Sequence, residues 1–402
     1  MTKQYRFISL LVVLMLLIGV LSGCTKNEQP AKTSVEARTA AEVTPADNTL
    51  ASEQTPSAEV KTRIYPYTFT DLAGVEVTLE KDVETVYIVG SVQPLLGIYR
   101  YARGNSDGLL TCPEASQNII KSSVMSEIWP DILNVAPHGD SANVEEILAL
   151  DPDVVFMTGN GSGDTYDALK NAGLTIVNFP TAASGDANDT FEAVKGWLEQ
   201  MAEVFDSPEN AAALIKHNDA VLAEITEKTA AVSEEDKPNA LIVFQLTDNS
   251  LKVAGSGHYS EFWLSKTGAK NAAAEIEKLQ EVDIEQLMAW DPDIIYLTTF
   301  SPAMPEDLYN NTIEGFDFSQ LSAVKNKQVY KIPLGSYRWY APSCECSLML
   351  KWMAGINHPE LFSDMSIESE VKDFMTEFYG KTPTDEQVQV LLNPSDASLM
   401  SH

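Results

Sequence analysis

The chain has 402 residues, 44% of them hydrophobic and 8% aromatic, which is enough apolar material for a sizeable core in one or two lobes. Its formal net charge of −31 argues against nucleic acid, whose phosphates would repel it, and against a basic membrane-binding patch.

The first segment reads as an export signal. Lys3 and Arg6 precede an apolar run from Phe7 to Leu21, whose length suits a signal-peptide core better than a spanning helix. Leu21, Ser22 and Gly23 then place small residues before Cys24, which resembles the lipobox of bacterial lipoproteins. That resemblance implies cleavage before Cys24 and a diacylglycerol on its thiol. Thr25 to Val60 is rich in Thr, Ala, Glu, Ser and Pro and cannot bury enough apolar surface to offset its ordering entropy. The expected division is a signal peptide over 1–23 and a lipidated cysteine with a tether over 24–62.

Alternation over Tyr67 to Thr70 and Val75 to Leu79, around Asp71 to Gly74, predicts a hairpin. Val83 to Val89 follows as a buried-type strand and Gln93 to Arg103 as a helix. Asn143 to Leu150 predicts a helix, Val154 to Thr158 a strand, Asp167 to Asn171 a helix and Leu174 to Phe179 a strand. Thr190 to Phe205 is amphipathic, and Ser207-Pro208 restarts a second helix that runs to near Val232. Beyond it, strands at Ala240 to Gln245, Leu251 to Val253, Ile294 to Thr298 and Val329 to Ile332 alternate with helices. Those helices are Tyr259 to Thr267, Ile284 to Trp290, Pro342 to Ala354 and Glu368 to Tyr379. The βαβ rhythm implies mostly parallel sheets covered on both faces.

One segment occurs twice. Val144 to Thr158 (VEEILALDPDVVFMT) matches Ile284 to Thr298 (IEQLMAWDPDIIYLT) without a gap, each a helix, a Pro-containing turn and a buried strand. The period far exceeds that of solenoid repeats, so it marks two similar lobes. The predicted fold class is therefore α/β: two similar three-layer lobes with mostly parallel central sheets, joined by one long helix. The lobes are expected at 63–190 and 233–402, with the helical segment at 191–232 between them and a ligand cleft between the lobes.

The opening Asp71 to Val77 hairpin, the paired Asp-Pro-Asp segments and Leu321 to Tyr330 together resemble the helix-linked substrate-binding proteins of iron-siderophore, haem and cobalamin ABC importers. The resemblance covers roughly Tyr65 to Phe362. It implies a two-lobe clamp that does no chemistry and serves a permease and a partner ATPase. It also implies one exposed glutamate per lobe docking on permease arginines, by motif position Glu145 and Glu285. A first-turn carboxylate favoured by the helix dipole would explain the same residues without docking.

Arg338 lies in Gly335 to Tyr340, after the Val329 strand, in the class of loop that lines such a cleft. With Tyr337, Trp339 and Tyr340 beside it, it offers a charged fork and stacking planes suited to an anionic chelate. In the Gly255 to Tyr259 loop, amides at a helix start suit an anion, and His258 and Tyr259 have the chemistry of haem-iron ligands; a solvated histidine explains the first equally well. Ser91, Gln93 and Asn160 to Gly163 follow first-lobe strands and could form the opposite wall. For Trp129 both core and cleft stay open, and Arg100 and Arg103 read as surface or ion-pair residues.

There is no nucleophile elbow, HExxH or P-loop, and the five histidines are not spaced as a metal cluster. Neither an enzyme, a resident metal nor a cofactor is therefore expected. Cys112, Cys344 and Cys346 leave open a disulfide from Cys112 to either of the others, and with it a rival reading as a surface thiol redox protein or enzyme. The expected function is a monomeric, lipid-anchored capture protein for a metal chelate, an iron-siderophore complex first, with cobalamin, haem or molybdate as alternatives. Surface tethering fits an extracytoplasmic place on a Gram-positive-type envelope.

Overall fold

A computed structural model describes residues 63–90, 94–139, 143–180 and 189–395. It opens with the predicted hairpin, β1 (Tyr67–Thr70) paired antiparallel with β2 (Glu76–Leu79), Tyr67 opposite Leu79. Asp71 makes this hairpin more than a local turn. Its Oδ1 accepts from the Ala73 and Val75 amides at 3.0 and 2.9 Å, while Oδ2 accepts from the Asn178 amide and side chain at 2.9 and 2.7 Å. The turn is thereby tied to the end of a strand far along the chain.

The first sheet holds β3 (Val86–Val89), β4 (Leu109–Pro113), β5 (Ala136–His138), β6 (Val154–Met157) and β7 (Ile176–Asn178) in the order β5-β4-β3-β6-β7, all parallel. The chain leaves β3 in one direction and returns to add β6 on its other side. That switch in direction opens a crevice at the carboxyl ends of β3 and β6. The sequence predicted β3 from Val83; the ordered strand begins at Val86. Neither β4, β5 nor the helix Glu114–Lys121 between the two was predicted, because Pro113 and the polar run after it blur both periods.

The second sheet holds β8 (Asn239–Thr247), β9 (Ser250–Ala254), β10 (Lys270–Asn271), β11 (Leu279–Glu281), β12 (Ile294–Leu297) and β13 (Val329–Lys331). β8, β12 and β13 run parallel, with β10 added beside the start of β8; β9 and β11 form an antiparallel edge. The predicted mostly parallel α/β lobes are thus present.

The long helix Pro208–Ala230 joins the two halves. Ala211, Leu214, Asn218, Val221, Ile225 and Thr229 form its buried stripe, at the three-to-four-residue spacing of one helix face. It packs on Pro94–Arg103 and Thr190–Phe205 from the first half and on Tyr259–Lys266 and Cys346–Asn357 from the second. The last helices, Ile367–Tyr379 and Asp385–Leu392, do not stay with the second sheet: Tyr379 lies 4.4 Å from Trp129, and Lys381 and Gln387 both donate to Glu127. Trp129 is buried at 1% exposure, which settles it as core.

The repeated segments adopt one local structure. Asn143 and Asp283 cap their helices through side-chain oxygens, and Asp151 and Asp291 end them in the left-handed region at φ 51° and 38°. Asp153 and Asp293 then each receive the backbone amide that starts a neighbouring strand segment, from Thr85 and Asn239. Glu145 and Glu285 occupy the same exposed first-turn position in the two copies.

All three described cysteines are free thiols, so the disulfide left open by the sequence is not formed. Cys112, Cys344 and Cys346 are buried, and burial raises each thiol, Cys112 to about 12. None is an activated nucleophile, which removes the physical basis of the thiol-enzyme reading.

Candidate functional site

Two second-lobe loops that are distant in sequence converge on one aromatic surface. After β13 the chain runs through Pro333 and Gly335 into the Tyr337–Ala341 turn. That turn is closed by the Trp339 amide on the Pro333 carbonyl at 3.1 Å and the Ala341 amide on the Arg338 carbonyl at 2.9 Å. Gly335 has φ 60°, and a Cβ there would stand 2.4 Å from the Trp339 indole nitrogen, so only glycine fits. Arg338 itself has φ 23°, a strained conformation for any residue with a Cβ.

The other loop leads into the helix Tyr259–Lys266 and brings His258 to Tyr340, with the phenol oxygen 2.9 Å from Nδ1. Tyr259 packs against both, its ring 3.9 Å from His258 and 4.9 Å from Tyr340. Phe244 from β8 and Phe300 from beyond β12 stack at 4.9 Å and complete the surface. Tyr340 is fully buried, whereas His258, Tyr259, Phe244 and Phe300 are half-buried.

Arg338 sits beneath this surface at 2% exposure. Its guanidinium carbon lies 4.5 Å over the Phe300 ring and Nη1 donates to the Thr299 carbonyl, while Nε is buried without a partner. Among the described residues the arginine ion pairs are Arg63–Asp206 and Arg100–Asp131; Arg338 has none. Burial pulls its pKa below the ordinary arginine value, with Tyr337 opposing. A buried cation stacked on a ring and lacking an acid is a site that an anion would complete.

The sequence-predicted residues therefore divide. Arg338, Tyr340, His258 and Tyr259 meet in one cluster. Tyr337 is buried against Ile119, Leu334 and Ala341 at the contact with the first half, while its phenol also interacts with the Arg338 guanidinium. Trp339 is at 0% exposure in the main core. Ser91, Gln93 and Cys24 lie outside the described residues. Asn160 to Gly163 follow β6 at the switch point of the first sheet, partly exposed. Phe244 and Phe300 were missed. Phe300 directly follows the second repeat copy, at the carboxyl end of a parallel strand, which was the available signal. A cavity of about 580 Å³ lined by Arg63, Glu203, Asp206 and Lys216 lies on the helical side, away from these loops, and its arginine is already paired.

Burial lowers the His258 pKa to about 4, so the ring is neutral near pH 7. Burial holds the Tyr340 phenol well above its usual range, so it keeps its proton and shares a hydrogen bond with Nδ1. The cluster thus combines neutral aromatic side chains with the Arg338 cation stacked on Phe300. No metal-ligating cluster occurs among the described residues.

Residues 82–334, more than half of the chain, match the family model described as periplasmic binding protein. A periplasmic solute-binding protein from Veillonella parvula superposes with a TM-score of 0.73 at 29% identity, covering 84% of this chain and 99% of that one. The molybdate-binding protein MolA of Haemophilus influenzae is 26% identical over 267 residues, 62% of this chain and 74% of its own. Its molybdate-bound structure superposes with a TM-score of 0.67, covering 79% of this chain and 99% of that one at 21% identity. The substrate-binding lipoprotein YvrC of Bacillus subtilis, itself uncharacterized, is 25% identical over 288 residues, 70% of this chain and 83% of its own. With a duplicated α/β architecture joined by one long helix, the chain belongs to the periplasmic binding protein family, as a class III substrate-binding protein: the non-catalytic, ligand-capturing component of an ABC importer with a cognate permease and ATPase.

Proposed function

We propose that this protein captures an anionic metal chelate, an iron-siderophore complex in the first place, on the aromatic surface above Arg338 and hands it to its permease. The observation that carries this reading is Arg338, buried without a carboxylate and stacked on Phe300, a ring of the half-buried aromatic cluster. A chelate with flat aromatic or conjugated arms uses both the charge and the ring faces. A bare oxyanion would use the charge and leave the rings idle. Molybdate is the second reading, favoured by the likeness to MolA; cobalamin and haem are further members of the same class.

Glu145 and Glu285 are proposed as the two docking contacts for permease arginines, since they are exposed and equivalent under the repeat. Cys24 is proposed as the lipid anchor that keeps the domain near its permease on a Gram-positive-type surface. Incorporation of labelled palmitate that disappears in Cys24→Ala would support the anchor; incorporation unaffected by the substitution would overturn it.

Binding is tested by tryptophan quenching and thermal shift of the soluble domain with a ferric tricatecholate, a ferric trihydroxamate, haem, cobalamin and molybdate. Saturable binding of the ferric tricatecholate supports the first reading. Binding of molybdate alone replaces it with the second, and binding of none overturns both.

A further inference from the structure

Glu345 is the least expected charge in the molecule. It lies at 0% exposure between the buried Cys344 and Cys346, at the foot of the helix Cys346–Asn357, and no lysine, arginine or histidine of the described residues pairs with it. A carboxylate in such a place costs stability unless its oxygens are engaged. One oxygen accepts from the Ser336 amide at 2.9 Å and the other from the Ser336 hydroxyl at 2.6 Å. Tyr379, at the end of the helix Ile367–Tyr379, also faces it, and burial pushes its carboxyl above the usual range against the pull of Ser336 and Tyr379.

Ser336 is the residue immediately before Tyr337 and Arg338. Its amide and its hydroxyl both bond Glu345, and its side chain also abuts the first-lobe helix, where a Cβ on Gly97 would stand 3.3 Å from Oγ. The adjoining Gly335 is pressed between the Trp339 indole and the Glu345 carboxyl carbon, at 2.4 and 3.5 Å from its Cβ direction. The turn carrying the strained Arg338 is therefore fixed at its root by a side chain nine positions further along the chain.

We infer that Glu345 is a positioning residue: its buried side chain anchors Ser336 and so sets the geometry in which Arg338 meets the ligand. It does not touch the ligand itself. The inference rests on the proposed role of Arg338 for its effect on affinity, while its effect on the loop stands apart from any ligand.

Glu345→Gln keeps the volume and removes one acceptor oxygen; Ser336→Ala removes the hydroxyl and leaves the helix untouched. Hydrogen exchange on the unliganded protein is expected to quicken about tenfold in peptides spanning 334–341 in both variants, with the rest of the domain unchanged. Binding of the ferric tricatecholate or molybdate is expected to weaken about tenfold in both. In an Arg338→Ala background Glu345→Gln should add no further loss. Unchanged exchange at 334–341, or exchange that quickens throughout the domain, would overturn the inference. So would a loosened loop with unaltered affinity. Should the wild-type protein bind neither probe, the ligand reading fails, and the exchange result still decides whether Glu345 holds the loop.

Discussion

Tyr340 and His258, 82 positions apart, meet through a 2.9 Å hydrogen bond and lie with their rings 5.8 Å apart and nearly parallel. This contact joins the two loops of the proposed site, and burial keeps its imidazole neutral near pH 7. The unfolded histidine titrates near 6.5, the folded one at about 4. As pH falls from about 6.5 to 4 the unfolded chain takes up a proton that the folded site refuses, so this residue's contribution to stability is lost across that window and levels off below it. The melting-temperature advantage of the wild type over His258→Asn should therefore shrink between pH 7 and pH 4.5. A constant difference would mean that the ring is not held neutral.

The two Asp-Pro-Asp turns predict unequal costs. Oδ2 of Asp153 accepts from the Glu84 and Thr85 amides, both at 2.8 Å, and from the Thr85 hydroxyl at 3.0 Å. The corresponding oxygen of Asp293 serves the Asn239 amide at 2.9 Å, in a more exposed setting. Asp153→Ala should destabilise by about 1–3 kcal/mol in urea unfolding, and Asp293→Ala by clearly less. Neither should alter ligand affinity.

Glu145 and Glu285 lie on exposed first turns of their helices. The double substitution to Ala should leave ligand affinity within about twofold and lower uptake by intact cells roughly tenfold or more. Lost affinity with retained uptake would assign them another role.

Much of this arrangement was legible because its signals are local. The repeat could be read directly, since the cap, the Asp-Pro-Asp turn and the strand follow one another in the chain. Arg338 stood out because arginine is scarce and sits among aromatics. Long-range contacts were not legible. Trp339 flanks Arg338 yet is buried in the main core, and Tyr337 packs against the first lobe while its phenol meets Arg338, since a tight turn sends successive side chains in different directions. Pro342 looked like a helix start, but the helix begins at Cys346, after a turn in which the Cys346 amide bonds the Ser343 carbonyl at 3.2 Å. Glu345 looked like one more acid in an acidic chain; its burial follows from the packing of the last helices over that turn.

The central claim is that Arg338 supplies the charge that holds the ligand. Its most direct test is calorimetric titration of the ferric tricatecholate into the wild-type protein, Arg338→Lys and Arg338→Ala at one salt concentration. The account predicts at least about tenfold weaker binding for Ala, roughly 1.4 kcal/mol or more, with Lys between the two because it keeps the charge and loses the planar fork. Equal affinity in all three proteins, with each of them folded, would contradict it.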